Sequence, residues 1–157
     1  MPRALAALAL LAALALLAAL AACASAPEEP ARSGADHSDA FAPTLNAVRA
    51  QHDLAALRPA PRLAAAAETH AADMAEEDFI SHDGSDGSTM QSRIVAQGYP
   101  SCASAENIAL RATSRDEAIA QWLDSPAHRE NVLRGGMEEF GLAEVGGYWV
   151  LKLARPC

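Results

Sequence analysis

Lysine is almost absent from this chain, since Lys152 is the only one among 157 residues. Acidic residues outnumber basic ones by 20 to 12, and the formal net charge is −8. The few basic residues form no stripe along the sequence. Because DNA and RNA binding depends on clustered lysine and arginine side chains that neutralise phosphates, the composition excludes a nucleic-acid partner.

A stop-transfer cluster of basic residues is also missing after the one long apolar run. This run of alanine and leucine follows Arg3 and extends from Ala4 to Ala22, which is typical of an export signal. Its end, Leu20-Ala21-Ala22-Cys23, resembles the bacterial lipobox, in which the cysteine is lipidated and becomes the mature N-terminus. We predict a lipoprotein-type signal peptide over residues 1–22 and a lipid anchor on Cys23. Plain secretion and a retained membrane helix are the alternatives.

Apolar periodicity is missing from the next segment, residues 23–43. Its proline, alanine and charged residues predict a flexible tether that reaches about 25 Å. The remaining residues, 44–157, have the size of one domain and contain no internal repeat. We expect this domain to be a monomer in the cell envelope, held at a membrane by lipid, with the outer membrane or periplasm favoured.

Cysteine is scarce as well. With Cys23 assigned to lipidation, only Cys102 and Cys157 remain. In an exported protein two such cysteines form a disulfide more often than they bind a metal. We therefore predict a Cys102–Cys157 disulfide, with free thiols as the alternative.

Hydrophobic periodicity predicts several helices followed by one hairpin. The expected helices begin at Thr44, Pro61, Ser88, Ser114 and Ser125, each at a capping residue or a proline. Around Gly146-Gly147 the apolar period changes to two, which is typical of a β-hairpin. These elements predict an α+β domain whose helices pack on a small antiparallel sheet.

The histidines have different expected environments. His70 falls on an alanine-rich helix face, so we interpret it as a packed, hydrogen-bonded core residue. His37 and His52 are expected to be exposed to solvent. His128 lies in the first turn after Ser125, where the helix dipole disfavours a positive charge, so it should be neutral.

Six segments carry a family resemblance: LNAVRAQ, ETHAADMA, FISHDGSDG, AENIAL, AQWLDSPAHRENVL and FGLAEVGGYWVLKLA. In this order and spacing they resemble the CAP superfamily of cysteine-rich secretory proteins, antigen 5 and pathogenesis-related proteins. The resemblance implies a three-layer α-β-α sandwich with a cleft lined by two histidines and two glutamates. It places His82, Glu106 and His128 in that cleft. No glutamate stands between His82 and Glu106, where the resemblance implies the second one, and Gln91 or Ser92 lies nearest to that place.

Two details of the cleft follow from the residue types. Asn107, beside Glu106, is expected to hydrogen-bond to backbone. Asn131 and Arg129 are expected to brace the short helix of His128 against the AENIA segment, which we interpret as a loop.

The cleft residues allow two classes of function. Two neutral imidazoles can bind zinc, but a tight site needs a third protein ligand, and Glu106 cannot both bind zinc and orient a histidine. Weak zinc binding at His82 and His128 and a metal-free cluster are equal alternatives, and no cofactor is required. We expect a non-enzymatic binding module for a lipid, glycan or protein. The alternative is a metal-dependent hydrolase of the cell envelope, with zinc on both histidines and Glu106 as general base.

Overall fold

The computed structural model describes residues 35–157. The predicted signal peptide, the lipidation site at Cys23 and the first part of the predicted tether lie outside these residues. Within the described range, none of the helices combines the length and the apolar character that a bilayer crossing requires.

The described chain folds into five helices around one sheet. The elements in chain order are β1 (Ala35–Asp36), α1 (Ser38–Ala50), β2 (Arg58–Pro59), α2 (Pro61–Glu77), α3 (Met90–Ala96), β3 (Ser101–Leu110), α4 (Arg115–Asp124), α5 (Pro126–Val132), β4 (Glu139–Val145) and β5 (Tyr148–Pro156). The strand order is β1-β4-β5-β3, with antiparallel neighbours, and the short β2 pairs in parallel with β4. The predicted α+β class is confirmed.

Helices cover both faces of the sheet. Successive residues of β5 point to opposite sides, so the contacts of two neighbouring residues identify the helices on each face. On one side, Val150 packs with Ala71 and Met74 of α2. On the other side, Leu151 belongs to the largest apolar cluster, which also contains Trp122 of α4 and residues of α1. This arrangement is the three-layer sandwich that the family resemblance implies.

Helix α2 approaches β4 very closely at Gly141. A Cβ atom at this position would overlap the backbone of Leu63 and Ala64. A residue without a side chain is therefore required where the helix crosses the strand.

Helix α1 begins at Ser38, six residues before the predicted start at Thr44. Phe41 and Leu45 lie one turn apart and are both fully buried, so packing extends the helix into a segment whose composition resembles a tether. His37, just before α1, is partly buried with its ring 5.0 Å from that of Trp149. The predicted exposure of His37 is wrong, whereas His52 is exposed as predicted.

The helix caps differ in detail from those predicted. Helix α3 is capped by Thr89 rather than Ser88: the Thr89 hydroxyl accepts from the Ser92 N–H at 3.2 Å, and the Ser92 hydroxyl accepts from the Thr89 N–H at 2.9 Å. Ser114 caps α4 as predicted, accepting from the Glu117 N–H at 3.2 Å. Ser125 occupies the N-cap position of α5, but its side chain makes no capping hydrogen bond.

The interpretation of AENIA as a loop is wrong, because these residues lie within β3. Glu106 and Asn107 are both buried although they face opposite sides of the sheet. Two polar residues in succession remove the period-two apolar pattern by which a strand is recognised.

The predicted disulfide between Cys102 and Cys157 is present. It joins the residue after β5 to the beginning of β3, across a sequence separation of 55 residues. Cys157 is thereby linked to the edge strand of the sheet.

Candidate functional site

The centre of the candidate site is Glu106, near the middle of β3. Its side chain lies on the sheet face covered by α2, the same face as Ile108 two residues further on. Lys152 is its direct partner in the register of the neighbouring strand β5. Glu106 is only 5% exposed and Lys152 is fully buried, and the Lys152 Nζ donates a hydrogen bond to Glu106 Oε2.

Arg93 adds a second buried cation from α3. Its Nη2 donates to Glu106 Oε2 at 3.5 Å and to the carbonyl oxygen of His82 at 2.7 Å. Its Nη1 donates to the Ser88 carbonyl oxygen at 2.7 Å. The Arg93 guanidinium thus hydrogen-bonds both to the loop that carries His82 and to the carboxylate of Glu106.

His70 holds the same loop from the side of α2. It is fully buried, and its Nε2 donates to the Ser81 carbonyl oxygen at 2.8 Å and lies 3.9 Å from Glu106 Oε1. Burial lowers the pKa of His70, so the ring is neutral near physiological pH. The prediction of a hydrogen-bonded core histidine is confirmed.

His82 is the exposed member of the cluster. Its Nδ1 lies 2.7 Å from Glu106 Oε1, while 58% of its side chain is accessible. An ionised carboxylate only accepts hydrogen bonds, so Nδ1 carries the proton and Nε2 is the ring nitrogen left for a ligand. The hydrogen bond to Glu106 raises the pKa of His82 above its usual value.

Glu106 remains ionised in spite of its burial. Burial alone would raise its pKa, but the hydrogen bond from His82 and the charge and hydrogen bond of Lys152 outweigh this effect and lower the pKa to about 2. Both carboxylate oxygens are therefore already engaged by donors of the protein itself.

His128 reaches the site from α5, which lies beside the outer edge of β3. The Asn107 Nδ2 donates to the His128 carbonyl oxygen at 2.9 Å, and the Asn131 Nδ2 donates to the Glu106 carbonyl oxygen at 3.2 Å. Both asparagines thus act as predicted. Burial and the nearby charge of His82 lower the pKa of His128. The structure joins His82 directly to Glu106 and places His128 within electrostatic reach of His82.

The cleft does not fit a tight zinc site. Within residues 35–157, no group of three or more His, Cys, Asp or Glu side chains is arranged to hold a metal ion. The chemical reason is that Glu106 is occupied by Lys152, Arg93 and His82. Gln91, which was expected near the place of the missing glutamate, accepts a hydrogen bond at 3.1 Å from the hydroxyl of Ser104, two residues before Glu106 in β3.

Sequence reasoning missed Lys152 and Arg93. Lys152 stands between Leu151 and Leu153, and an isolated charge inside an apolar strand indicates a buried partner. The pattern does not indicate which acid that partner is. Arg93 lies on a short helix with no such apolar context, so nothing in the sequence marks it.

A concave surface lies where β3 begins. Its cavity of about 410 Å³ is lined by Pro59, Ala60, Pro61, Arg62, Tyr99, Pro100 and Glu139. At about 3.3 Å per residue, the start of β3 is some 16 Å from Glu106 along the strand. This cavity is therefore separate from the Glu106 cluster.

Comparisons with known proteins agree with this architecture. The sequence model described as "CAP: Cysteine-rich secretory protein family" matches residues 44–150. Searching the curated proteins produced no match.

Several solved structures share the fold. An extracellular protein containing an SCP domain from Bacillus anthracis superposes with a TM-score of 0.74 at 24% identity, over 83% of this chain and 45% of that protein. An outer surface protein of Borrelia burgdorferi gives 0.67 at 19% identity, over 79% and 98% of the two chains. A cysteine-rich secretory protein of Staphylococcus aureus gives 0.65 at 17%, over 82% and 41%. The chain thus spans less than half the length of the first and third of these proteins.

Proposed function

This chain belongs to the CAP family of cysteine-rich secretory proteins, and from that premise we propose that it is an exported binding module. The module holds a lipid, glycan or protein ligand of the cell envelope at His82 and His128 and does not change it chemically.

The observation that carries this proposal is that both carboxylate oxygens of Glu106 already accept hydrogen bonds from the protein. His82 occupies Oε1, Lys152 and Arg93 occupy Oε2, and the side chain is buried. The groups left for a ligand are the accessible imidazole of His82 and the partly buried imidazole of His128. Both imidazoles can hydrogen-bond to a ligand and can contact a ring or an acyl chain of that ligand.

The same contacts argue against a role for Glu106 as the general base of a hydrolase. A general base works best when its pKa lies near the operating pH, because it must accept a proton during the reaction. The pKa of Glu106 is about 2 and two cations contact its carboxylate, so it is a poor proton acceptor at neutral pH.

Export and lipid anchoring belong to the proposal through the N-terminal sequence. An apolar run ending in Leu20-Ala21-Ala22-Cys23 supports lipidation at Cys23. The neighbours from Bacillus anthracis and Borrelia burgdorferi are described as extracellular and outer surface proteins. The test is partition of the protein made in a bacterial host between detergent and water. The wild-type protein should enter the detergent phase and Cys23→Ala should not, and equal partition of the two would refute the anchor.

Ligand retention followed by mass spectrometry tests the binding function. Purified protein is incubated with membrane-lipid extracts and with cell-wall fragments, washed, and the bound compounds are released and identified. We expect compounds of unchanged mass on the wild-type protein and loss of retention in His82→Ala and in His128→Ala. His52→Ala removes an exposed histidine of another region and should retain the ligand as the wild type does.

The result that would overturn the proposal is turnover. If new products accumulate with the wild-type protein and disappear with Glu106→Gln, the chain is a hydrolase. Equal retention by all three histidine variants would place the ligand outside the cleft.

A further inference from the structure

We propose that the ammonium group of Lys152 takes the place of a metal ion as the counter-charge of Glu106, so that the cleft selects against divalent cations. The inference rests on the proposed cleft at His82 and His128. It is tested by metal affinity rather than by ligand retention, so either proposal can fail without the other.

Lys152 is buried in a way that lysine rarely is. It is the only lysine of the chain, it is fully buried, and it contacts Glu106 directly. Lysine is almost never fully buried unless it is paired. The register of β3 on β5 sets the two residues opposite each other, so the pair is part of the sheet.

A metal ion that bound Oε1 of Glu106 would displace the N–H of His82 and would still share the carboxylate with the Lys152 ammonium, which repels it. One that bound Oε2 would displace Lys152 and Arg93. Removing the carboxylate from Lys152 would leave a buried ammonium without a counter-charge, which is strongly unfavourable. Arg93, also buried, would lose its carboxylate contact as well. The Lys152 ammonium and the Arg93 guanidinium already face one carboxylate, so an added divalent ion would meet two positive charges.

Without Glu106, the ligands proposed for a metal ion among residues 35–157 are the two imidazoles. Protein zinc sites normally use three or four protein ligands, and two neutral nitrogens bind weakly. Lys152 is therefore the fully buried positive charge that opposes a three-ligand site made of His82, Glu106 and His128.

Zinc titration by calorimetry, near neutral pH, tests this assignment. The wild-type protein should bind weakly or not measurably. Lys152→Met keeps the apolar stem of the side chain and removes the charge, and its zinc affinity should rise at least about tenfold because a repulsive charge is lost beside the site. The gain should disappear in Lys152→Met combined with Glu106→Gln and in Lys152→Met combined with His82→Ala.

Arg58→Met is the matched control. It removes one positive charge from an exposed side chain paired with Glu139 and changes the net charge by the same amount as Lys152→Met. If Arg58→Met raises zinc affinity equally, overall charge explains the effect and the proposal fails. It fails too if Lys152→Met, or Lys152→Gln should the methionine variant not fold, binds zinc no better than the wild type.

A measurement on the wild-type protein needs no variant. Because Lys152 is the only lysine, labelling with ¹⁵N-lysine yields one side-chain ammonium signal in the NMR spectrum. This signal should stay in place while zinc is added up to concentrations that shift the histidine signals. Movement of the ammonium signal together with the histidine signals would show that zinc recruits Glu106, and would overturn the assignment.

Discussion

Glu106 keeps its charge inside the protein because donors surround it. Isolated from water, a carboxylate would take up a proton, yet here the Lys152 ammonium, the Arg93 guanidinium and the His82 N–H all contact it. Buried ion pairs of this kind add little net stability compared with apolar side chains. Their consequence here is geometric, since they orient the His82 ring and leave its Nε2 for a ligand.

Stability should fall in acid as Glu106 is protonated. Its pKa is lowered from 4.5 to about 2 in the folded protein, so its contribution is complete above pH 4.5 and is lost as the pH falls toward about 2. This shift corresponds to about 3 kcal/mol of unfolding free energy. Urea unfolding over this pH range would measure it.

Glu106→Gln provides the control for the acid effect. The exposed carboxylates of Asp86 and Glu117 also have lowered pKa values and add their own pH dependence. They are present in both proteins, so the difference between wild type and Glu106→Gln isolates the buried carboxylate. Parallel stability curves for the two proteins would contradict the role of Glu106.

The two cleft histidines should titrate on opposite sides of the usual histidine pKa. The pKa of His82 is raised mainly by its hydrogen bond to Glu106, and that of His128 is lowered by burial and by the charge of His82. NMR of the imidazole C–H signals against pH measures both values. Glu106→Gln should lower the pKa of His82, and an unchanged value would mean that the two residues do not interact in solution.

Helix α5 takes the place of a neighbouring strand along part of β3. β3 is at the edge of the sheet, and the Asn131 side chain donates to the main-chain carbonyl of Glu106 and to the Asn107 side chain at 2.9 Å. Asn107 in turn donates to the carbonyl of His128. The contacts that close the sheet edge also place His128 beside the site, so α5 and β3 act as one unit.

Gly141→Ala should destabilise the fold by about 3 kcal/mol or more, because the new methyl group would overlap the backbone of α2 and helix and strand would have to separate. The matched control is Gly135→Ala, where nothing lies within 4 Å of the added Cβ. Chemical denaturation of both variants measures the difference. Similar stabilities for the two would show that α2 does not lie this close to β4.

At the scale of the whole molecule, the disulfide limits how far the unfolded chain can expand. Replacing both Cys102 and Cys157 by serine should lower the free energy of unfolding by about 4 kcal/mol, as expected for a loop of this length. Denaturation of the variant under the same conditions as the wild type measures the loss. A difference below about 1 kcal/mol would mean that the reduced chain is already restrained in its unfolded state.

Short-range patterns were enough to predict much of this molecule. The helix that starts at Pro61, the cap at Ser114 and the hairpin at Gly146-Gly147 each depend on residues only a few positions apart. The α+β class and the disulfide were also predictable, the first from the change of apolar period and the second from the count of cysteines. The resemblance of six segments to the CAP superfamily implied that His82 and Glu106 lie in one cleft.

The partners of Glu106 could be found only in the folded structure. Lys152 faces it because two strands, 46 positions apart in the chain at this pair, adopt one register, and Arg93 reaches it from a separate helix. The burial of His37 against Trp149 depends on distant segments in the same way. Apolar periodicity indicates which secondary structure a segment prefers. The charge of the cleft and the groups it offers to a ligand depend instead on which distant segments come into contact. Those contacts are set by the packing of the whole domain.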